Sequence, residues 1–447
     1  MAPPSIRTSR KSATPDADRR ADGLRDGSQI AKPFQIRAAT EALSEVLPLG
    51  RPADVAIRAW FRANPELGPR ERAFVADTVF SILRHLRRLE TLIDGRQPRR
   101  LVLAALTRIA GFNARTLETA LAPGEAEWLA ALKLRTDQPS EAVQLSLPDW
   151  LYDRLAATMA PEALAALGRS LLAPAPMDLR TNPILARREE VLATLHASDI
   201  EAAATPFSPL GIRLRDKPAL ERHTLITGGH VEVQDEGSQL IAFLLDPKRG
   251  EMVADFCAGA GGKTLALGAM MRSEGRLYAF DTSERRLTNF KPRLKRSGLS
   301  NVHPQLIDSE HDIRVKRLDG KLDRVLVDAP CSGIGTLRRN PDLKWRMSPA
   351  AVAELSAKQR SILLAAGRLV KPGGLLVYAT CSLLPEENEA VVDAFLEARP
   401  GWRLLDAPAL LRANDIPLQD SGPYLRLMPH LHATDGFFAA TLERIPG

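Results

Sequence analysis

Two short stretches place a thiol at a sharp exit from an apolar run, and the first adds a carboxylate. The first is Asp328-Ala329-Pro330-Cys331-Ser332-Gly333, which follows Val325–Val327; the second is Thr380-Cys381-Ser382, which follows Leu375–Ala379. Apolar runs of this length read as buried parallel strands. Ligands of open α/β sheets bind beyond the carboxyl ends of such strands. Two thiols and an acid at two strand ends point to covalent chemistry rather than plain binding, because a thiolate is a strong nucleophile that splits one hard step into easier ones. The third cysteine, Cys257, also follows a strand candidate. A small packing role is expected for it, as for most buried free cysteines. Three cysteines without a CxxC pair suggest neither a disulfide framework nor a zinc site, and no metal is expected.

Cys257 opens a glycine-rich turn, Cys257-Ala258-Gly259-Ala260-Gly261-Gly262-Lys263, between the strand candidate Met252–Phe256 and a helix from Leu265. Glycines let backbone approach a ligand closely, and the next helix offers free N–H groups. Nucleotide, nicotinamide and methyl-donor sites share this device. A phosphate-cradling P-loop is excluded, since GxxxxGK[ST] would need a glycine where Cys257 stands. Three acids sharpen the reading: Asp281, Asp308 and Asp328 end the second, third and fourth strand candidates. A carboxylate after the second strand accepts both ribose hydroxyls, and one after the third can accept an adenine amino group. Singly each also fits a helix or turn cap. As a set they favour an adenosine ligand.

These residues need a sheet to hold them. From 246 onward strand candidates (252–256, 276–280, 302–307, 322–327, 375–379) alternate with helix candidates (265–271, 284–297, 350–370, 387–397), and 436–442 reads as a closing strand. Alternation implies an α/β fold with a parallel sheet covered on both faces. Residues 175–245 read as a small α+β unit, with strands at 177–182, 211–214 and 230–233 and a helix at 188–196. A helical connector is expected at 141–174, an all-helical domain at 31–140, and a polar, basic, disordered arm at 1–30. At 447 residues the chain is expected to form two or three domains. The net charge of +7 favours polyanionic partners without naming one. No apolar run is long enough for a membrane span, and the first residues lack the apolar centre of a secretion signal. A cytoplasmic, monomeric protein is expected.

The motifs together resemble the Nop/Sun family of RNA (cytosine-5) methyltransferases, most of all its bacterial ribosomal-RNA type. Gln234-Asp235-Glu236-Gly237-Ser238-Gln239 resembles that family's lead-in, Asp255 to Lys263 its S-adenosylmethionine loop, and the two cysteine stretches its paired cysteine motifs. Arg338-Arg339-Asn340-Pro341-Asp342-Leu343-Lys344-Trp345 is similar to its substrate-side segment, and Asp435-Gly436-Phe437-Phe438 to its closing strand. The helical front half resembles the NusB-like RNA-binding domain of the bacterial members. One departure is Gly259-Ala260-Gly261-Gly262, where the family usually has Ala-Pro-Gly-Gly; alanine for proline softens the loop.

The resemblance implies a Rossmann-like methyltransferase domain, S-adenosylmethionine as cofactor, and ribosomal RNA, of the small subunit, as partner. It assigns attack on carbon 6 of cytosine to Cys381 and help with product release to Cys331. The reverse assignment stays open, because DNA cytosine methyltransferases attack with a Pro-Cys motif. Asp328 is expected to supply a proton at ring nitrogen 3. Cys257 through Lys263, Asp281, Asp308 and Asp328 are expected around the cofactor. Arg180, Lys263, Arg338, Arg339 and Lys344, with Asn182, are expected on RNA phosphates. The basic helix 284–297 reads as a solvated face, and His430 and His432 as loop polarity. Four rivals remain: transfer RNA as substrate, a non-catalytic ribosome-assembly factor, a nicotinamide dehydrogenase and a small-molecule methyltransferase. Neither a dehydrogenase nor an assembly factor needs both strand-end thiols.

Overall fold

The computed structural model describes residues 30–135, 138–419 and 422–446. The arm expected at 1–30 lies, apart from Ile30, outside the described residues. Two compact units are present. One holds the chain up to 152 with 168–174 and 340–346; the other holds 153–167, 175–339 and 347 onward. The stretch expected as a connector is thus shared between them.

The first unit is helical. Its longer helices are Pro33–Val46, Ala53–Ala63, Pro69–Arg84, Leu86–Ile93, Pro98–Arg108 and Glu125–Leu134. Three begin on a proline, whose missing N–H costs nothing in the first turn. Ile36, Leu43, Val79, Ile82, Leu86 and Leu106 are fully buried in one core, each worth roughly 1.5–3 kcal/mol of transfer free energy. Residues 340–346 finish two of these helices. Asp342 accepts the Ala53 N–H at the start of one helix, while Lys344 Nζ and the Trp345 indole N–H donate to the Arg84 and Leu83 carbonyls at the end of another, at 2.7 and 2.8 Å. Helix ends carry such unpaired groups, and a cation suits the C-terminal one.

The second unit carries two sheets. The smaller, antiparallel, has the order β2-β3-β1-β4, with β1 Met177–Thr181, β2 Ala202–Ala204, β3 Gly211–Leu214 and β4 Val231–Val233. The Ala-Ala-Ala strand β2 was not expected; alanine has little strand preference and pairs here only because β3 offers an edge. The larger sheet contains β5 Met252–Asp255, β6 Arg276–Asp281, β7 Val302–Leu306, β8 Leu322–Asp328, β9 Val370–Thr380, β10 Trp402–Leu405, β11 Leu425–Leu427 and β12 Phe437–Arg444. Its order is β10-β12-β9-β8-β5-β6-β7, with β11 also on β12. The five strands from β9 to β7 run parallel, and β10, β11 and β12 are antiparallel additions. The sheet is therefore mixed rather than wholly parallel, and β10 and β11 were not anticipated. Helices Gly262–Met270, Glu284–Ser297 and Pro349–Leu369 fall where the apolar period places them. Among the described residues no helix is long and apolar enough to cross a membrane.

Candidate active site

Strand register brings the chemistry together. Asp328 on β8 lies beside Ala379 on β9, so the next few residues of each strand leave the sheet side by side. The sulfurs of Cys331 and Cys381 are 3.3 Å apart, and both cysteines are free. Burial and the hydrogen bond to Cys381 push the Cys331 thiol well above its ordinary pKa, the Cys381 contact being the larger cause. The Cys331 thiol is therefore held protonated, and either sulfur can be the donor in the contact.

Asp328 accepts a hydrogen bond from Lys263 Nζ at 2.7 Å. Burial works against the lysine's charge, yet the charge and hydrogen bond of Asp328, with smaller help from Cys381 and Asp255, hold its pKa above the ordinary value. The same ammonium lies over the Phe437 ring, 5.6 Å from its centre. Lys263 was expected on RNA phosphates. Being nearly buried, it instead supplies a fixed positive charge at the carboxylate between cofactor loop and thiols.

A cleft of about 530 Å³ takes in the glycine loop, Asp281, Asp328, Lys263 and all three cysteines, within the size range of small-molecule sites. Its donor set fits S-adenosylmethionine. Asp281 ends β6 and accepts the Gly259 and Ser283 N–H groups at 2.8 and 2.7 Å, so its carboxylate is fixed at the loop. Phe256, Ile307 and Ile362 supply apolar wall for a flat base, and acids offset a positive sulfonium. Gly261 has φ +83° and its missing Cβ would overlap the Phe290 ring, so the loop tolerates only glycine there. Ala258, Gly259, Ala260 and Gly262 line the same cleft. Ala260, in the usual proline position, is tied down by Arg293, which donates to its carbonyl and pairs with Glu232.

Other residues lie elsewhere than expected. Asp308 is exposed, two residues beyond the end of β7, and Ile307 and Glu310 line the cleft in that region. Glu310 is held to about pKa 2: burial opposes ionisation, but hydrogen bonds from Lys358 and Ser361 outweigh it. Arg180 is buried and donates to Gln234 and to the Gly262 carbonyl at 2.6 Å; burial lowers its pKa to about 10. Asn182 is buried on the Gly229 and Ser297 carbonyls. Both join the small sheet to the larger one instead of facing solvent. Arg339 bridges Asp235 and Asp435 at 2.8 and 2.6 Å, which joins the lead-in, the Arg-Arg segment and the closing strand. Lys344 is buried in the helical unit, its pKa lowered to about 7 by burial and the charge of Arg84. Arg338 is half-buried, and burial lowers its pKa while the charges of Asp435 and Asp235 oppose that. The basic helix is not wholly solvated, since Arg293 and Arg296 both pair with Glu232. Cys257 packs against the core as expected, its thiol pushed well up by burial.

Sequence reading missed Glu387. It is fully buried and accepts from the Ser332 N–H at 2.8 Å, from Gln359 Nε2 at 3.0 Å and from the hydroxyls of Ser332 and Ser382. The available signal was a serine directly after each cysteine.

Comparisons with known proteins identify the family. The sequence model described as 16S rRNA methyltransferase RsmB/F matches residues 242–443, and that of the RsmF/B-like ferredoxin-like domain matches 147–221. The chain is 33% identical over 429 residues to the probable ribosomal RNA small subunit methyltransferase B of Synechocystis sp., covering 88% of this chain and 95% of the relative. It is 32% identical to the ribosomal RNA small subunit methyltransferase B of Vibrio cholerae, covering 91% and 96%. Among solved structures, that of PH0851 superposes with a TM-score of 0.77 at 27% identity over 92% of this chain and 99% of that one. A methyltransferase homologue from Pyrococcus horikoshii gives 0.59 at 28% identity, covering 68% and 98%. With paired thiols, a methyl-donor cleft and these full-length relatives in agreement, the chain belongs to the RsmB/F family of 16S rRNA methyltransferases.

Proposed function

We propose that this protein methylates carbon 5 of a cytosine in small-subunit ribosomal RNA through a covalent Cys381–cytosine adduct. One observation carries the proposal: two free thiols 3.3 Å apart, at adjacent strand ends, open into the same cleft as Asp328, Lys263 and the glycine loop. S-adenosylmethionine, when bound, supplies a methyl group made electrophilic by its positive sulfur.

The chain's residues do the rest. The Cys381 sulfur adds to carbon 6 of the ring, which makes carbon 5 nucleophilic. As that bond forms, a proton passes from the Lys263 ammonium through the Asp328 carboxylate to ring nitrogen 3. Adduct formation also changes Cys331. Its proton is held by the hydrogen bond to Cys381, then by burial, then by the charge of Cys381, and the first and last of these are lost once that sulfur is bonded to carbon. Cys331 can then release its proton to solvent and act as the base. It takes the carbon-5 proton, the nitrogen-3 proton returns through Asp328 to Lys263, and the Cys381–carbon bond breaks with its electrons on sulfur. The target base must be unpaired or flipped, since a stacked base cannot present this edge. The helical unit is assigned to RNA capture, with Arg338 as a phosphate contact.

Bisulfite sequencing of total RNA from a deletion strain tests the reading. One 16S cytosine is expected to lose its methyl group and to regain it when the purified protein acts on RNA with labelled S-adenosylmethionine. Loss confined to transfer RNA, or no loss of 5-methylcytosine at all, defeats it.

A further inference from the structure

The cysteines meet because the loops behind them share one acceptor. Ser332 follows Cys331 and Ser382 follows Cys381, and both hydroxyls donate to the Glu387 carboxylate. The same carboxylate also takes the Ser332 backbone N–H and Gln359 Nε2, and Gln359 in turn donates to the Pro330 carbonyl at 2.9 Å. All four donors are neutral. A carboxylate buried without a countercharge carries a desolvation cost, which a hydroxyl or amide link between the loops would avoid. Its advantage is geometric: two oxygens that only accept can gather donors from both loops at once. Glu387 is itself anchored, because Tyr378 donates to its backbone carbonyl at 2.6 Å and Thr380 donates to Asn388 beside it at 2.6 Å. Gly335 N–H adds a second tie, to the Cys381 carbonyl at 2.8 Å.

We propose that Glu387 is the positioning residue of the two-thiol reaction: it sets the separation of Cys331 and Cys381 and touches neither substrate nor cofactor. The inference rests on the covalent reading above for its catalytic consequence, but the geometry can be read without it.

Two readouts on the full-length protein test it. The first is the rate at which diamide joins Cys331 to Cys381, measured by peptide mass mapping. The two thiols lose two electrons and two protons to the diazene and form one S–S bond, with no RNA or methyl donor present. The second is methyl transfer, resolved into kcat and KM. Glu387→Gln is expected to slow the cross-link severalfold and to lower kcat about 100-fold, as misplacement of reacting groups does, with KM for S-adenosylmethionine unchanged. The double variant Ser332→Ala/Ser382→Ala, which keeps the buried glutamate, is expected to move both readouts in the same direction and decides the matter if Glu387→Gln has no thermal unfolding transition. Wild-type cross-linking rates in both variants overturn the proposal, and so does a rise in KM with kcat unchanged. Slow cross-linking in the variants, together with a wild-type protein that forms no adduct on 5-fluorocytosine RNA, supports the clamp and defeats the covalent reading alone.

Discussion

The sulfurs of Cys331 and Cys381 lie 3.3 Å apart across 50 residues of chain. The proposed reaction gives them different tasks, attack to Cys381 and release of product to Cys331, whose thiol the hydrogen bond to Cys381 and burial push up. Replacing Cys381 by alanine is expected to abolish the adduct on 5-fluorocytosine RNA. Replacing Cys331 by alanine is expected to let an adduct with unmodified RNA accumulate, because the carbon-5 proton has no base. Denaturing gels of the two variants with labelled RNA check this, and adducts surviving Cys381→Ala would exchange the two roles.

Lys263 holds Asp328 at 2.7 Å. Lys263→Met keeps most of the volume and removes the charge. A drop in kcat of about 100-fold is expected, the lower range for a lost acid–base partner, with RNA affinity little changed. A steady-state comparison decides between this role and a phosphate contact, which would raise KM for RNA instead.

The two glycines of the cofactor turn should respond differently to alanine. Gly259 has φ +58° and open space around its missing Cβ, whereas Gly261 has φ +83° and Phe290 in that place. Gly259→Ala is expected to cost about 1 kcal/mol, the penalty of a left-handed residue. Gly261→Ala adds steric displacement of a buried ring and should cost about 1–3 kcal/mol more, together with cofactor binding. Thermal unfolding and calorimetric titration with S-adenosylmethionine measure both.

Asp255 is buried beneath the loop and accepts from the Thr264 hydroxyl at 2.7 Å. Burial raises its pKa from 3.8 to about 7, with the charge of Asp328 adding to the rise and Thr264 opposing it. Between those values the folded protein holds a proton that the unfolded chain has lost. The contribution is therefore complete below 3.8 and is lost as pH rises through 7. Asp255→Asn cannot ionise, so its stability relative to the wild type should improve from about pH 5 to about pH 8, by up to roughly 3 kcal/mol. Denaturant titrations across that range test it; a constant difference would show that the carboxyl stays charged throughout.

Lys344 and Arg338 contrast a structural cation with one proposed to contact RNA. Lys344 Nζ is fully buried on the Arg84 carbonyl, so Lys344→Met should leave the salt dependence of RNA binding unchanged. Arg338→Ala should reduce the slope of log affinity against log salt by about 0.7–0.9, the loss of one phosphate contact. Filter binding at several salt concentrations distinguishes them.

Much of the site was legible because its chemistry sits at strand ends, where a run of valine or leucine stops and a cysteine, acid or glycine begins. Asp281, Asp328, Cys331, Cys381 and the glycine loop were found on that rule alone. The cations were harder. Arg180, Arg339 and Lys344 look like RNA contacts in a linear string, and only the fold reveals that Gln234, Asp235, Asp435 and the Arg84 carbonyl claim them. Glu387 was invisible for the same reason: the partners that give it meaning lie 55 and 5 residues away. The antiparallel strands β10 and β11 are short, and each is defined by pairing with β12 rather than by its own residues.

Gly335 and Gly436 meet backbone to backbone: the Gly436 N–H donates to the Gly335 carbonyl at 2.8 Å, and a Cβ on Gly335 would overlap Gly436. Residues 435–444 follow both cysteines in the chain, so during synthesis the thiols exist before the strand that seats their loops. Until that strand is made, the growing chain holds two ordinary cysteines.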